Sequence, residues 1–170
     1  MAMTFFFPLP PVDDVGALVP SERLLLWALR RRVLGVLRAE PVSPDLDEVL
    51  SIHGVAEARL PVVSLVEIVG AAATGSVHVN CPGCRHLALD EAALLAAVAA
   101  SQRGAEGDAA RALARLLPSA GVRLALPTCR MIASAFAAAG EELPHRTHAP
   151  WATDAFMVGD KTMPADVTQH

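Results

Sequence analysis

Cys81 and Cys84 stand either side of a Pro-Gly pair in the stretch NCPGCRH, with His86 two residues further on and the chain's third cysteine at Cys129. Both sulfurs of a C-P-x-C turn can face one side, and the amides of the turn can donate to them. Donors of that kind favour the thiolate, the form that binds metal. Two thiolates make half of a tetrahedral zinc site, at Zn–S distances of about 2.3 Å. Cys129 is the natural third ligand, because the sequence places it in the first turn of the last helix, where the dipole lowers a thiol's pKa. For the fourth ligand His86 comes first, since side chains two apart on an extended segment face the same way. His78, His53 or a water are the alternatives. Zinc is the first choice among metals for a thiolate-rich tetrahedron. The pattern has one CxxC, where a pair of them would be the stronger signature.

Redox chemistry is the second reading of the same residues. VHVNCPGCRHLALDEAALL runs strand, CxxC, helix, and it resembles the active-site segment of thioredoxin-like oxidoreductases. LALPTC is similar to the proline-containing loop that faces the cysteines in that family. The resemblance covers these two patches only. That fold needs strands between and after them, where this chain has AAVAASQRGAEGDAARALARLLPSAG and CRMIASAFAAAG, both helical in pattern. The thioredoxin fold is therefore rejected, and a dithiol sensor on a helical scaffold is retained as the alternative. The plain third account is a Pro-Gly β-turn whose cysteines are small buried hydrophobes.

No other constellation supplies chemistry. The glycines at 70, 75 and 83 lack the lysine and spacing of a phosphate loop. The serines at 64, 76 and 101 are in no nucleophile-elbow context. Asp90 and Glu91 open a helix, where acids are expected on dipole grounds. HRTH, from His145 to His148, reads as solvated. An enzyme is not expected, and no small-molecule substrate is identified.

The composition narrows the scaffold. In 170 residues, 53% are hydrophobic but only 4% aromatic, with no tyrosine. A core of Leu, Val, Ala and Met favours packed helices over a sandwich of strands. Net charge is −4, so no global basic field exists to hold nucleic acid or an anionic membrane. All but one of the 14 basic residues are arginine, which fits the codon usage of a GC-rich, bacterial genome. Three cysteines do not make a secreted disulfide framework, and MAMTFFFPLPPVDD lacks the basic n-region of a signal peptide. The longest apolar stretch, from Leu60, is short and carries Glu67. The expectation is a cytoplasmic protein whose reduced thiols are free to bind metal.

The fold expected is mainly α: a compact bundle of about six helices with a CxxC knuckle. Residues 1–19 form an N-terminal arm, 20–140 the helical domain and 141–170 an irregular tail. The first helix opens at Ser21 as N-cap and stops before Pro41, with Arg30, Arg31, Arg32 and Arg38 on a solvated face. The second is capped by Ser43 and has Pro44 at its first position. LPVVSLVEIVGAAATG is a third helix, and SVHVN approaches the cysteines in extended form. Helices from Asp90, around Asp108 and from Thr128 complete the set, with Gly54, Gly104 and Gly140 as stops. The functional expectation is a non-catalytic binding or regulatory protein stabilised by zinc, acting with a protein partner or a second copy. Phe5, Phe6 and Phe7, and the island from Trp151 to Met157, are the apolar pieces available for such contacts. The alternative is a redox sensor using the Cys81–Cys84 dithiol.

Overall fold

A computed structural model describes residues 14–41 and 44–146. The fold is mainly helical: among the described residues there are six α-helices and no β-strand. They are α1 (Pro20–Leu37), α2 (Pro44–Ile52), α3 (Arg59–Ala72), α4 (Leu89–Gln102), α5 (Glu106–Leu113) and α6 (Ser119–Ala138). Short 3-10 turns at Val15–Ala17 and Ala56–Ala58 precede α1 and α3. The arm up to residue 13, the cap position Ser43 and the tail from residue 147 lie outside the described residues.

α6 is the central element, packed against α3, α4 and α5, while α1 lies across α3 and α4. Its buried face carries Val122, Ala125, Cys129, Ile132, Ala133 and Phe136. Leu25, Leu26 and Leu29 of α1, Val62 and Leu65 of α3 and Ala97 and Val98 of α4 complete the same core. Alanine lets the helices approach closely. At Gly121 a Cβ would come within 3.3 Å of the Ala72 Cβ, so a larger residue there would have to push the start of α6 and the end of α3 apart by a few tenths of an ångström.

Several helix starts differ from the sequence reading. Val19, not Ser21, is the N-cap of α1, and Pro20 takes the first helical position. Glu22 instead accepts from the Val19 amide at 3.0 Å, and the buried Ser21 hydroxyl donates to Glu142 O at 2.6 Å. Asp108 sits inside the first turn of α5, behind Ala105 at the cap position. The largest correction concerns α6, which begins nine residues before Thr128 and carries Pro127 in its interior. A proline there removes one backbone donor. The buried apolar stripe continues on both sides of it and holds the helix together.

Candidate functional site

The loop from α3 to α4 contains every residue of the NCPGCRH stretch. It has no regular structure, yet it is closely held. Pro82 and Gly83 form a turn closed by the Cys84 amide donating to Cys81 O at 3.0 Å. Cys81 is exposed and Cys84 half-buried, and both are free thiols. His86 is exposed, and its backbone forms an isolated antiparallel bridge with Asp14.

Beneath the turn lies a buried ion pair that the sequence reading missed. Arg30 of α1 and Glu91 of α4 are each 1% exposed. Arg30 Nε donates to Glu91 Oε1 at 2.6 Å and Nη2 to Oε2 at 2.8 Å, a two-pronged contact suited to a planar guanidinium. Two more of its protons go to the loop: Nη1 donates to Cys84 O and Nη2 to His86 O, both at 2.7 Å. Glu91 in turn accepts from the Asn80 amide at 2.9 Å and from the Ala88 amide at 2.8 Å. Asn80 Nδ2 closes the ring by donating to His86 O at 2.9 Å. A buried charge pair is tolerated when its remaining donors and acceptors are satisfied, and here they are used to fix the loop.

Arg30 is therefore not on the solvated face expected of it. Its neighbours behave differently. At 16% and 11% exposure Arg31 and Arg32 are largely covered too, but their pairs reach the surface: Arg31 meets Asp45 at 2.7 Å and Arg32 meets Glu67 at 3.2 Å, carboxylates that are 49% and 60% exposed. Glu91 was legible only as a dipole-favoured acid at a helix start; the structure puts it at the third position of α4, from which it accepts from the Ala88 amide. Nothing in the one-dimensional pattern pairs it with an arginine 61 residues earlier.

Cys129 departs furthest from expectation. It lies in the middle of α6, fully buried, and burial pushes its thiol up to about 12. It stands ten residues past the start of α6, so the N-terminus of its own helix is not beside it. At neutral pH it is a protonated, apolar side chain of the core. Of the four candidate ligands, the structure brings Cys81, Cys84 and His86 into one surface loop, while Cys129 belongs to the core of the bundle. His78 is exposed, with its amide donating to Asp90 Oδ2 at 2.8 Å. His53 is exposed at the end of α2. Among the described residues no group of three or more His, Cys, Asp or Glu side chains stands in a position to hold a metal ion.

Residues 141–146, which follow α6, form no helix or strand and are tied down. Leu143 is buried, and Arg146 Nε donates to Glu22 Oε1 at 2.8 Å. His145, expected to be solvated, receives a hydrogen bond from Arg103 Nη2 at 2.8 Å through its Nδ1. A guanidinium only donates, so this contact requires an unprotonated Nδ1. No family model, no curated protein and no solved structure matches the chain.

Proposed function

We propose that the protein is a non-catalytic, helical regulatory module whose responsive element is the Cys81–Cys84 dithiol, acting through a protein partner or a second copy in a reducing compartment such as the cytoplasm. The observation that supports this reading is the closed turn. A hydrogen-bonded β-turn keeps its first and fourth Cα atoms within about 7 Å, close to the 4.4–6.8 Å that a disulfide spans. The pair can thus join without moving the helices. Oxidation removes two electrons and two protons from the two thiols. A small disulfide oxidant takes them by exchange through a mixed disulfide and leaves as two thiols.

The second reading is zinc held by Cys81 and Cys84. It is supported by the exposed His86 ring in the same loop, which would have to swing toward the sulfurs to become a third ligand, with water or a partner side chain as the fourth. The neutral, buried Cys129 thiol has no part in it.

One experiment separates the two. Protein purified under reducing conditions without chelator is titrated with glutathione redox buffers, while metal content is measured by elemental mass spectrometry. The dithiol reading predicts no bound zinc, reversible loss of two reactive thiols together, and a third thiol that reacts only after denaturation. A stoichiometric zinc that blocks both thiols would replace it with the metal reading. Two thiols that oxidise independently, each to a mixed disulfide, would refute it.

A further inference from the structure

The backbone on both sides of the dithiol is held by one buried ion pair. One residue before Cys81, the Asn80 amide donates to Glu91 Oε1 at 2.9 Å. At Cys84 itself the carbonyl accepts from Arg30 Nη1 at 2.7 Å. Two residues later His86 O accepts from Arg30 Nη2 at 2.7 Å and from Asn80 Nδ2 at 2.9 Å, so the two ends of the segment are also tied to each other. Arg30 and Glu91 are buried on α1 and α4, which pack together, so the anchor belongs to the body of the protein. Only Pro82 and Gly83 lie between the cysteines, and their turn is closed by the Cys84 amide donating to Cys81 O.

We propose that Arg30 and Glu91 are positioning residues for the dithiol: by fixing the backbone at Asn80 and Cys84 they hold the turn in a closed form that a disulfide can span, and so set the reduction potential of the pair. The inference rests on the dithiol reading above and adds the origin of the potential to it. In the balanced exchange, the two cysteine thiols and one glutathione disulfide give one Cys81–Cys84 disulfide and two glutathione thiols. The cysteine sulfurs lose two electrons, the glutathione sulfurs gain them, and the two cysteine protons end on the released thiols. The closing step is intramolecular, one cysteine sulfur attacking the other, and its effective concentration rises when the reacting groups are held in place. In a free chain the same turn samples open backbones, and ordering it costs entropy. The clamp has already ordered that backbone in the reduced protein. The four hydrogen bonds of Arg30 go to carbonyls and a carboxylate, so its effect on the sulfurs passes through the backbone.

The test is the equilibrium of the full chain with reduced and oxidised glutathione, expressed as the effective concentration of the dithiol, in native buffer and in concentrated guanidinium chloride. The unfolded chain keeps the CPGC sequence without the clamp, so it supplies the unclamped value. The native protein is expected to exceed that value by about tenfold or more, which for a two-electron couple is about 30 mV or more toward a more stable disulfide. R30M/E91M, which leaves no unpaired charge, should lose most of that excess while keeping its helical circular dichroism. N80A leaves the ion pair in place and should lose a smaller part. A merely structural role would lower the urea midpoints of oxidised and reduced protein alike; the positioning role narrows the gap between them in the same variants. A native value equal to the unfolded one, or the full excess retained in folded R30M/E91M, would overturn the proposal and leave the dithiol reading standing. Should R30M/E91M not fold, an unchanged effective concentration in N80A overturns it. A protein that forms no Cys81–Cys84 disulfide refutes the dithiol reading, and this proposal with it.

Discussion

At the scale of single residues, the loop depends on one guanidinium. Arg30 makes four hydrogen bonds, two to a carboxylate and two to loop carbonyls. Removing one member of a buried pair leaves the other charge unpaired in a low-dielectric site, a loss of about 3–5 kcal/mol. Arg30→Met should therefore lower the urea-unfolding free energy by that order, and Glu91→Met by a similar amount. The double variant should recover part of the loss, since the unpaired charge is then gone. If the three variants instead add without coupling, the pair is not acting as a unit. Cys81, Cys84 and the turn between them were legible in the sequence because a Pro-Gly pair between cysteines constrains the backbone locally. Arg30 was not. Three consecutive arginines look alike in one dimension, and only the packing of α1 on α4 decides which one is buried.

At the scale of elements, four of the helices end in the same closure. After α1, α2, α4 and α6 a residue with positive φ occupies the position past the cap, and the following amide reaches back five residues: Glu40 to Gly35, Val55 to Leu50, Ala105 to Ala100 and Glu141 to Phe136. Three of those residues are Gly54, Gly104 and Gly140, all read correctly as stops. The fourth is Ala39 at φ 53°, where a side chain crowds the backbone. Ala39→Gly should thus stabilise the protein by about 0.5–1 kcal/mol, seen as a higher urea midpoint with unchanged m-value. An unchanged or lower midpoint would mean that Ala39 carries no strain. Starts were harder to read than stops. A left-handed stop is a property of one residue, whereas a start depends on which donors the rest of the fold satisfies. α6 shows this most clearly: Pro127 and Thr128 spell a helix beginning, yet the apolar stripe from Val122 carries the helix through them.

At the scale of the whole molecule, the helical class followed from a composition poor in aromatic residues and rich in alanine. The meeting of α1, α4 and the tail did not, because it rests on pairings between distant residues. One of these gives a pH response. His145 has its pKa lowered, first by burial and then by the Arg103 charge, against a smaller opposing effect of Asp108. The unfolded chain therefore takes up this proton more readily than the native one. Stability is unaffected above the ordinary value of 6.5, declines as the pH falls below it, and levels off below the lowered native value. His145→Gln keeps an acceptor for Arg103 but does not titrate. Melting temperatures measured from pH 7.5 to 5 should show the native protein losing more than this variant, and parallel curves would exclude the effect. Among the described residues no helix is long and apolar enough to cross a membrane. The Arg30–Glu91 pair has one more consequence, which concerns the order of assembly. It joins residues 61 apart, so forming it closes a long loop of chain and carries the entropy cost of that closure. The α4–α5 hairpin, by contrast, needs only neighbouring residues. Docking of the cysteine loop onto α1 is therefore expected to follow formation of the α4–α5 hairpin, although the turn between the cysteines is itself closed locally.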